Sequence, residues 1–165
     1  MNRSNQIIEL IEKNPGIKFR EIMRETGMNI GVIAHYAHKL EKEGIVKVDR
    51  KPRQTRFFPV GIDENDFHLI KNLRQETPRQ IISALLKQEF LSFNELVQNV
   101  KKSPATVSFY LTQLTNECIV DSIFINQKRH HFIKEIEKLR EIIDKYHPSL
   151  IERSADHLAD TFSSL

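Results

Sequence analysis

A forty-residue pattern occurs twice in this chain, and nothing else in the sequence constrains its fold as strongly. Residues 7–46 match residues 81–120 without a gap, at a constant offset of 74. The identical pairs are Ile7/Ile81, Ile8/Ile82, Lys13/Lys87, Phe19/Phe93, Glu21/Glu95, Tyr36/Tyr110, Leu40/Leu114, Glu43/Glu117, Ile45/Ile119 and Val46/Val120. Apolar residues exchange for one another at Ile11/Leu85, Ile17/Leu91, Ile22/Leu96 and Ile33/Val107. Most of these positions have the spacing of a buried face, so the chain reads as two copies of one small fold. Two copies are too few for a solenoid, which needs at least three stacked units to close its core.

Each copy carries the same grammar. In the first, Ile7, Ile8 and Ile11 recur at helical spacing, with Ser4 as the expected cap, and Asn14-Pro15-Gly16 stops the helix. Phe19, Ile22 and Met23 mark a short second helix that ends at Gly27, a residue suited to a left-handed C-terminal position. From Asn29 the pattern Ile33, Tyr36, Ala37, Leu40 predicts a third helix to about Glu43, closed by Gly44. Ile45–Val48 and Thr55–Val60 then read as strands around a basic tip, Asp49-Arg50-Lys51-Pro52-Arg53-Gln54. In the second copy Ser103-Pro104 starts the third helix, and strands from Ile119 and Lys128 flank a shorter tip at Asn126-Gln127, where a two-residue hairpin fits. The second wing is therefore expected to be stubbier than the first.

Between the copies, Phe67, Ile70 and Leu73 suggest a short helix, and Thr77-Pro78 is expected to cap the next one. Beyond the second copy, Ile136, Leu139, Ile143 and Tyr146 follow the three-four-three spacing of a coiled-coil seam. Leu158 and Phe162 belong to a last amphipathic stretch, and these six residues are the candidate dimer contacts; the alternative is that they pack on their own chain. The expected architecture is mainly α with small β wings, an α+β class. It divides into a first winged helix-turn-helix domain at 1–61, a linker helix at 62–77, a second such domain at 78–133 and a C-terminal helical element at 134–165.

Charge separates the halves. Residues 1–60 hold twelve Lys/Arg against seven Asp/Glu, whereas residues 61–165 hold thirteen against fifteen, so the net charge of +3 conceals a basic first third. A basic face at this end is the electrostatic footprint expected of a phosphate-binding surface. No apolar run is long enough to span a membrane, no apolar leader opens the chain, and the single cysteine, Cys118, permits no intrachain disulfide. A soluble, cytoplasmic protein with Cys118 as a small buried hydrophobe is the corresponding expectation. The sequence has no glycine-rich phosphate loop, no nucleophile elbow and no HExxH, so neither an enzyme nor a cofactor is expected. His35 with His38, and His130 with His131, are too weak a pattern for a metal site.

Three helices followed by a two-stranded wing is the winged helix-turn-helix plan, whose third helix enters the major groove while the wing lies along phosphates. The stretches Asn14–Ile22, Arg24–Met28 and His35–Val46, with Arg56-Phe57-Phe58-Pro59, resemble archaeal winged-helix regulators of the broad ArsR/MarR-like group. That resemblance covers about residues 5–60 closely and 78–133 loosely. It implies a transcriptional regulator, usually dimeric, whose partners are double-stranded DNA and the transcription machinery.

On the third helix of the first copy, Asn29, Gly31, Val32, His35, His38 and Lys39 are the candidates for the groove: Gly31 for close approach, Val32 for a thymine methyl, Asn29 and the histidines for base edges or phosphates. Lys18, Arg20, Lys47, Arg50, Lys51, Arg53 and Arg56 are candidates for the phosphates, where only charge and reach are required. If about four cations each neutralise one phosphate, the logarithmic salt slope is about −3.6 per unit. The equivalent helix of the second copy offers Ser103, Thr106, Ser108 and Thr112, which are polar and uncharged, together with Phe109 at the position of His35. That copy is either an auxiliary DNA reader or a protein-contact unit, and the exposure of Phe109 is the observation that bears on the choice. The competing reading for the whole chain is a tandem winged-helix scaffold that binds protein without specific DNA recognition.

Overall fold

The computed structural model describes residues 2–51 and 54–146. The first helix, α1 (Arg3–Lys13), starts two residues earlier than Ser4 would allow as its cap. Asn2 caps it instead, its side chain accepting the Asn5 backbone N–H at 2.8 Å. The breaker cluster acts as expected, and the chain then forms a short strand that periodicity did not reveal, β1 (Ile17–Lys18). Helix α2 (Phe19–Thr26) ends on Gly27 at φ 72°, and α3 (Ile30–Lys42) begins on the Asn29 cap. Two strands follow, β2 (Val46–Lys51) and β3 (Gln54–Pro59), in an antiparallel sheet of order β1-β3-β2.

A single turn of 3-10 helix and α4 (Phe67–Leu73) lead into the second copy, whose first helix, α5 (Glu76–Lys87), begins on Gln75. Thr77 and Pro78 thus lie buried within the first turn of α5, where proline's missing N–H costs no hydrogen bond, and not at its cap. Then come β4 (Leu91–Ser92), α6 (Phe93–Val100), α7 (Pro104–Asn116), β5 (Val120–Ile125) and β6 (Lys128–Ile133), with sheet order β4-β6-β5. A final helix, α8, covers residues 136–146. The described chain divides into two compact units, one running to Ile70 and including Lys145 and Tyr146, the other spanning Lys71–Asp144.

The offset of 74 extends past the region of sequence identity. Helices α2 and α3 map residue for residue onto α6 and α7, and strands β1, β2 and β3 map onto β4, β5 and β6. The two wings are therefore equal in length, with six-residue strands and two residues between them, which corrects the expectation of a longer first wing. The first tip looked long because Arg50, Lys51 and Gln54 are not strand formers; in the fold the ladder runs out to the Lys51–Gln54 pair. In the second wing Asn126 and Gln127 both take positive φ, 51° and 64°, as a two-residue type I′ hairpin requires.

Backbone conformation repeats as well. Gly27 and Gly44 are left-handed in the first unit, and the same two positions hold Lys101 at φ 58° and Cys118 at φ 61° in the second. Cys118 is exposed at this helix end, which corrects its reading as a buried hydrophobe.

The core of the first unit is Ile7, Ile11, Ile17, Ile22, Ile33, Ala37, Leu40, Val46 and Phe57. Adding 74 gives Ile81, Leu85, Leu91, Leu96, Val107, Leu111, Leu114 and Val120, all buried, and finally His131 in place of Phe57. Each such aliphatic side chain contributes about 1.5–3 kcal/mol by leaving water. In the second unit a polar network supplements this core. Gln113 donates to Asn72 at 2.9 Å, and Asn72, itself fully buried, donates to Glu117 at 2.6 Å. Lys71 reaches the other carboxylate oxygen at 3.2 Å.

Helix α8 departs from the expected seam. Leu139 is only 1 % exposed within a single chain and Ile142, which the heptad reading left out, is also buried; Ile136, Ile143 and Tyr146 are half-buried. Leu139 is thus a core residue of its own chain and not a contact offered to a partner. Leu158 and Phe162 lie outside the described residues. No described helix is long and apolar enough to cross a membrane.

Candidate nucleic-acid interface

Helix α3 buries Ile33, Ala37 and Leu40, and this face fixes what the rest of the helix presents. Gly31, His35, His38 and Lys39 are exposed, as groove residues must be; Val32 is half-buried. Asn29 is exposed, and while its side-chain oxygen accepts the Val32 N–H at 2.9 Å, its amide nitrogen is left to donate to a base. Ile30, 59 % exposed, and Ala34 share the surface near the helix start. An exposed isoleucine there was not among the sequence candidates, because its hydrophobicity reads as core.

The wing cations fare differently from expectation. Arg56 is 2 % exposed and donates to the Gly16 carbonyl at 2.8 Å, so it braces the turn before β1 and cannot reach a phosphate. Charge misled here, since Arg56, Phe57 and Phe58 are all buried once β1 covers the strand. Lys47 is half-buried and donates to the Ile62 carbonyl at 2.8 Å. Arg50 is exposed but forms a two-pronged pair with Glu41 of α3, one bond measuring 2.7 Å. This guanidinium, bonded to Glu41, holds that carboxyl below the usual carboxylate range.

Lys51 is exposed at the end of β2, Arg20 is exposed on α2, and Lys18 is half-buried at the α2 cap. Arg53 lies outside the described residues. Of the candidate cations of the first unit, Arg20, Lys39 and Lys51 are exposed with no ion pair among the described residues, and Arg50 is tied to the third helix.

The same surface of the second unit has different chemistry. Ser103 caps α7, its hydroxyl accepting the Thr106 N–H at 3.2 Å and sharing a hydrogen bond with the Thr106 hydroxyl at 2.8 Å. Both hydroxyls are engaged locally, whereas Ser108 and Thr112 are exposed. Phe109 is 65 % exposed, and a shallow groove beside it is lined by Ser108, Thr112, Gln113, Asn116 and Glu117.

Lys39, Lys42, Lys47, Arg50 and Lys51 of the first unit correspond to Gln113, Asn116, Asp121, Phe124 and Ile125 of the second. Not one cation of the α3 and β2 surface recurs. Lys101 and Lys102 before α7 and Lys128 and Arg129 of β6 remain; Lys102 pairs with Glu76 at 3.4 Å, and Arg129 lies over the Phe124 ring at 5.2 Å. Among the described residues no cluster of His, Cys, Asp and Glu is arranged to hold a metal ion.

Comparison with known proteins matches each of the two units to a helix-turn-helix family. Residues 3–47, from α1 into β2, match a family described as winged helix-turn-helix DNA-binding. Residues 75–122, from α5 into β5, match the bacterial regulatory protein arsR family. The ArsR likeness thus falls on the second unit, where the sequence resemblance was the looser. An uncharacterized HTH-type transcriptional regulator of Methanocaldococcus jannaschii is 25% identical over 130 residues, covering 79% of this chain and 33% of that protein. The chain therefore spans about a third of that relative's length. A hypothetical protein from Pyrobaculum spherical virus, 15% identical, superposes with a TM-score of 0.40 over 80% of this chain and 93% of its own. The chain thus carries two helix-turn-helix units, each completed by its wing, the first similar to a winged helix-turn-helix DNA-binding family and the second to the bacterial regulatory protein arsR family.

Proposed function

We propose that the chain binds double-stranded DNA sequence-specifically through its first unit, as a homodimer that regulates transcription. In this reading α3 lies in the major groove, with Gly31, His35 and His38 toward the bases, Val32 at its margin and Lys39 at the phosphate edge. Arg20, Lys39 and Lys51 meet phosphates, and Arg50 joins them only by leaving Glu41. The observation that carries the reading is the contrast between two units of one fold: exposed cations flank the third helix of the first and are missing from α3-equivalent and β2-equivalent positions of the second. About three phosphate contacts correspond to a salt slope of about −2.7 per unit, shallower than the −3.6 expected from sequence. Binding to a selected duplex across a salt series tests this; a slope near zero refutes it.

The second unit supports a protein-contact role better than an auxiliary DNA-reading one. Phe109 is two-thirds exposed where the first unit has His35, and the nearby hydroxyls of Ser103 and Thr106 bond to each other. Alanine at Ser108 and Thr112 is expected to leave DNA affinity within twofold, whereas alanine at His35 and Lys39 lowers it at least tenfold.

A further inference from the structure

The second wing carries an apolar strand on an open sheet edge. In the order β4-β6-β5, strand β5 has no neighbour on its outer side, and it exposes Ile123 at 48 %, Phe124 at 65 % and Ile125 at 36 %. Strand β2 of the first unit is the equivalent edge, but there Lys47, Asp49, Arg50 and Lys51 line it. Charges along an edge are the usual protection against strand addition, because pairing would desolvate them. Strand β5, with sequence Val-Asp-Ser-Ile-Phe-Ile, retains a single charge, Asp121.

The hydrogen-bond phase says which groups this edge offers. Lys134 N–H donates to the Ile119 carbonyl at 2.9 Å, so 119 and 134 are a hydrogen-bonded pair of the ladder. Alternation then turns the backbone groups of 121, 123 and 125 toward β6 and those of 120, 122 and 124 outward. The outward Ser122 N–H is occupied at present by the Asp121 carboxylate at 2.8 Å.

From these features we infer that β5 is a homodimer interface, in which the β5 strands of two copies pair antiparallel about a two-fold axis at Ile123 to join two sheets into one. This rests on the homodimer in the reading above and supplies its surface. An antiparallel strand pair satisfies two-fold symmetry with one species, and such isologous contacts are the commonest oligomer interface. With the axis at Ile123, Ser122 and Phe124 exchange backbone hydrogen bonds with Phe124 and Ser122 of the other copy. The two Ile123 side chains then meet as a non-hydrogen-bonded pair, about 4.5 Å apart at Cα.

Charge complements this register. Asp121 comes opposite Ile125 of the other copy, whose own cross-strand neighbour on the same face is Lys128. Two strand spacings of about 4.8 Å separate the backbones, a gap that an extended lysine and an aspartate can bridge. On pairing, the Ser122 N–H passes from Asp121 to a backbone carbonyl, and the carboxylate is released toward that lysine. The first wing cannot pair in this way, because in the equivalent register Lys51 would face Lys47 and Asp49 would face Asp49 of a second copy.

The test uses the full chain in two forms. Ile123→Lys with Phe124→Asp alters exposed side chains only, and sedimentation equilibrium should show a dimer in the unchanged protein and at least a hundredfold weaker association in the variant. In a Cys118→Ser background, Ile123→Cys should cross-link under mild oxidation, since about 4.5 Å between Cα atoms lies within disulfide reach. Lys51→Cys in the same background should not cross-link. A monomeric unchanged chain, a variant that stays dimeric, or cross-linking no faster at 123 than at 51 overturns the assignment. Binding of a single DNA half-site, measured on the same variant, reports on the first unit separately. Its loss in the unchanged chain would instead count against the DNA-binding reading.

Discussion

Replacing Glu41 by glutamine should make the protein bind DNA more tightly, although the change removes an ion pair. In the free protein Arg50 is held by both oxygens of Glu41, with side-chain exposures of 58% and 31%. A pair this exposed is worth roughly 0.2–1 kcal/mol. A phosphate that takes Arg50 must overcome that amount and also bring its charge near the abandoned carboxylate. At about 6 Å in water this repulsion is about 0.7 kcal/mol before screening, and a Debye length of about 8 Å reduces it to roughly 0.3 kcal/mol.

Together these terms favour Glu41→Gln by about 0.5–1.3 kcal/mol, a two- to ninefold lower Kd. One more phosphate contact without a compensating local charge steepens the salt slope by about 0.9. Fluorescence anisotropy on a selected duplex between about 50 and 300 mM salt measures both quantities. The double variant with Arg50→Ala should lose the gain. Weaker binding by Glu41→Gln with an unchanged slope would refute the reasoning, and would mean that the pair orients the wing instead of withholding its arginine.

Other outcomes follow from the same geometry. Arg56→Met should destabilise the first unit by about 1–3 kcal/mol, because the Gly16 carbonyl loses its buried donor, while the salt slope for DNA stays unchanged; urea unfolding and the salt series separate the two effects. Glu117→Ala leaves Lys71 and Asn72 without their shared carboxylate and should cost the second unit about 2–4 kcal/mol in the same unfolding assay. Burial, with Arg129 and His130 nearby, lowers the pKa of His131 from its ordinary 6.5. Its contribution to stability is therefore complete above pH 6.5 and declines as pH falls through 6.5 toward the lowered folded-state value. His131→Phe, which restores the residue found at Phe57, should flatten that decline in thermal melts between pH 7 and 5.

Much of the architecture was legible because the repeat doubles every local signal. The second and third helices of each copy, with the Asn29 and Ser103 starts, follow from patterning that the two copies express independently, whereas the Gly27 stop and the two-residue second hairpin were each legible from one copy alone. Elements that depend on tertiary pairing were hidden. Strands β1 and β4 are two residues long and exist only because β3 and β6 cover them. The length of the first wing was obscured by charged residues that an exposed strand tolerates, and Leu139 read as a seam because a heptad pattern does not say which surface it meets.

The candidate site was legible on α3, where the buried stripe assigns the exposed face by elimination, so Gly31, His35, His38 and Lys39 lie where expected. It was poorly legible on the wing. Charge alone cannot distinguish Lys51, open to solvent, from Arg56, buried against Gly16, or Arg50, held by Glu41. Those differences depend on which strand or helix comes to lie beside each side chain.

In the proposed function the first unit reads DNA and the second does not. Selection from random duplexes at about 0.15 M salt, within the range where specific binding is separable from nonspecific binding, tests it most directly. The intact chain should enrich a palindromic motif; Lys39→Ala with Lys51→Ala should abolish the enrichment, and Phe109→Ala with Thr112→Ala should leave the half-site sequence unchanged. Enrichment that survives loss of the first pair but not of the second, or no enrichment by the intact chain at any salt, would contradict the account.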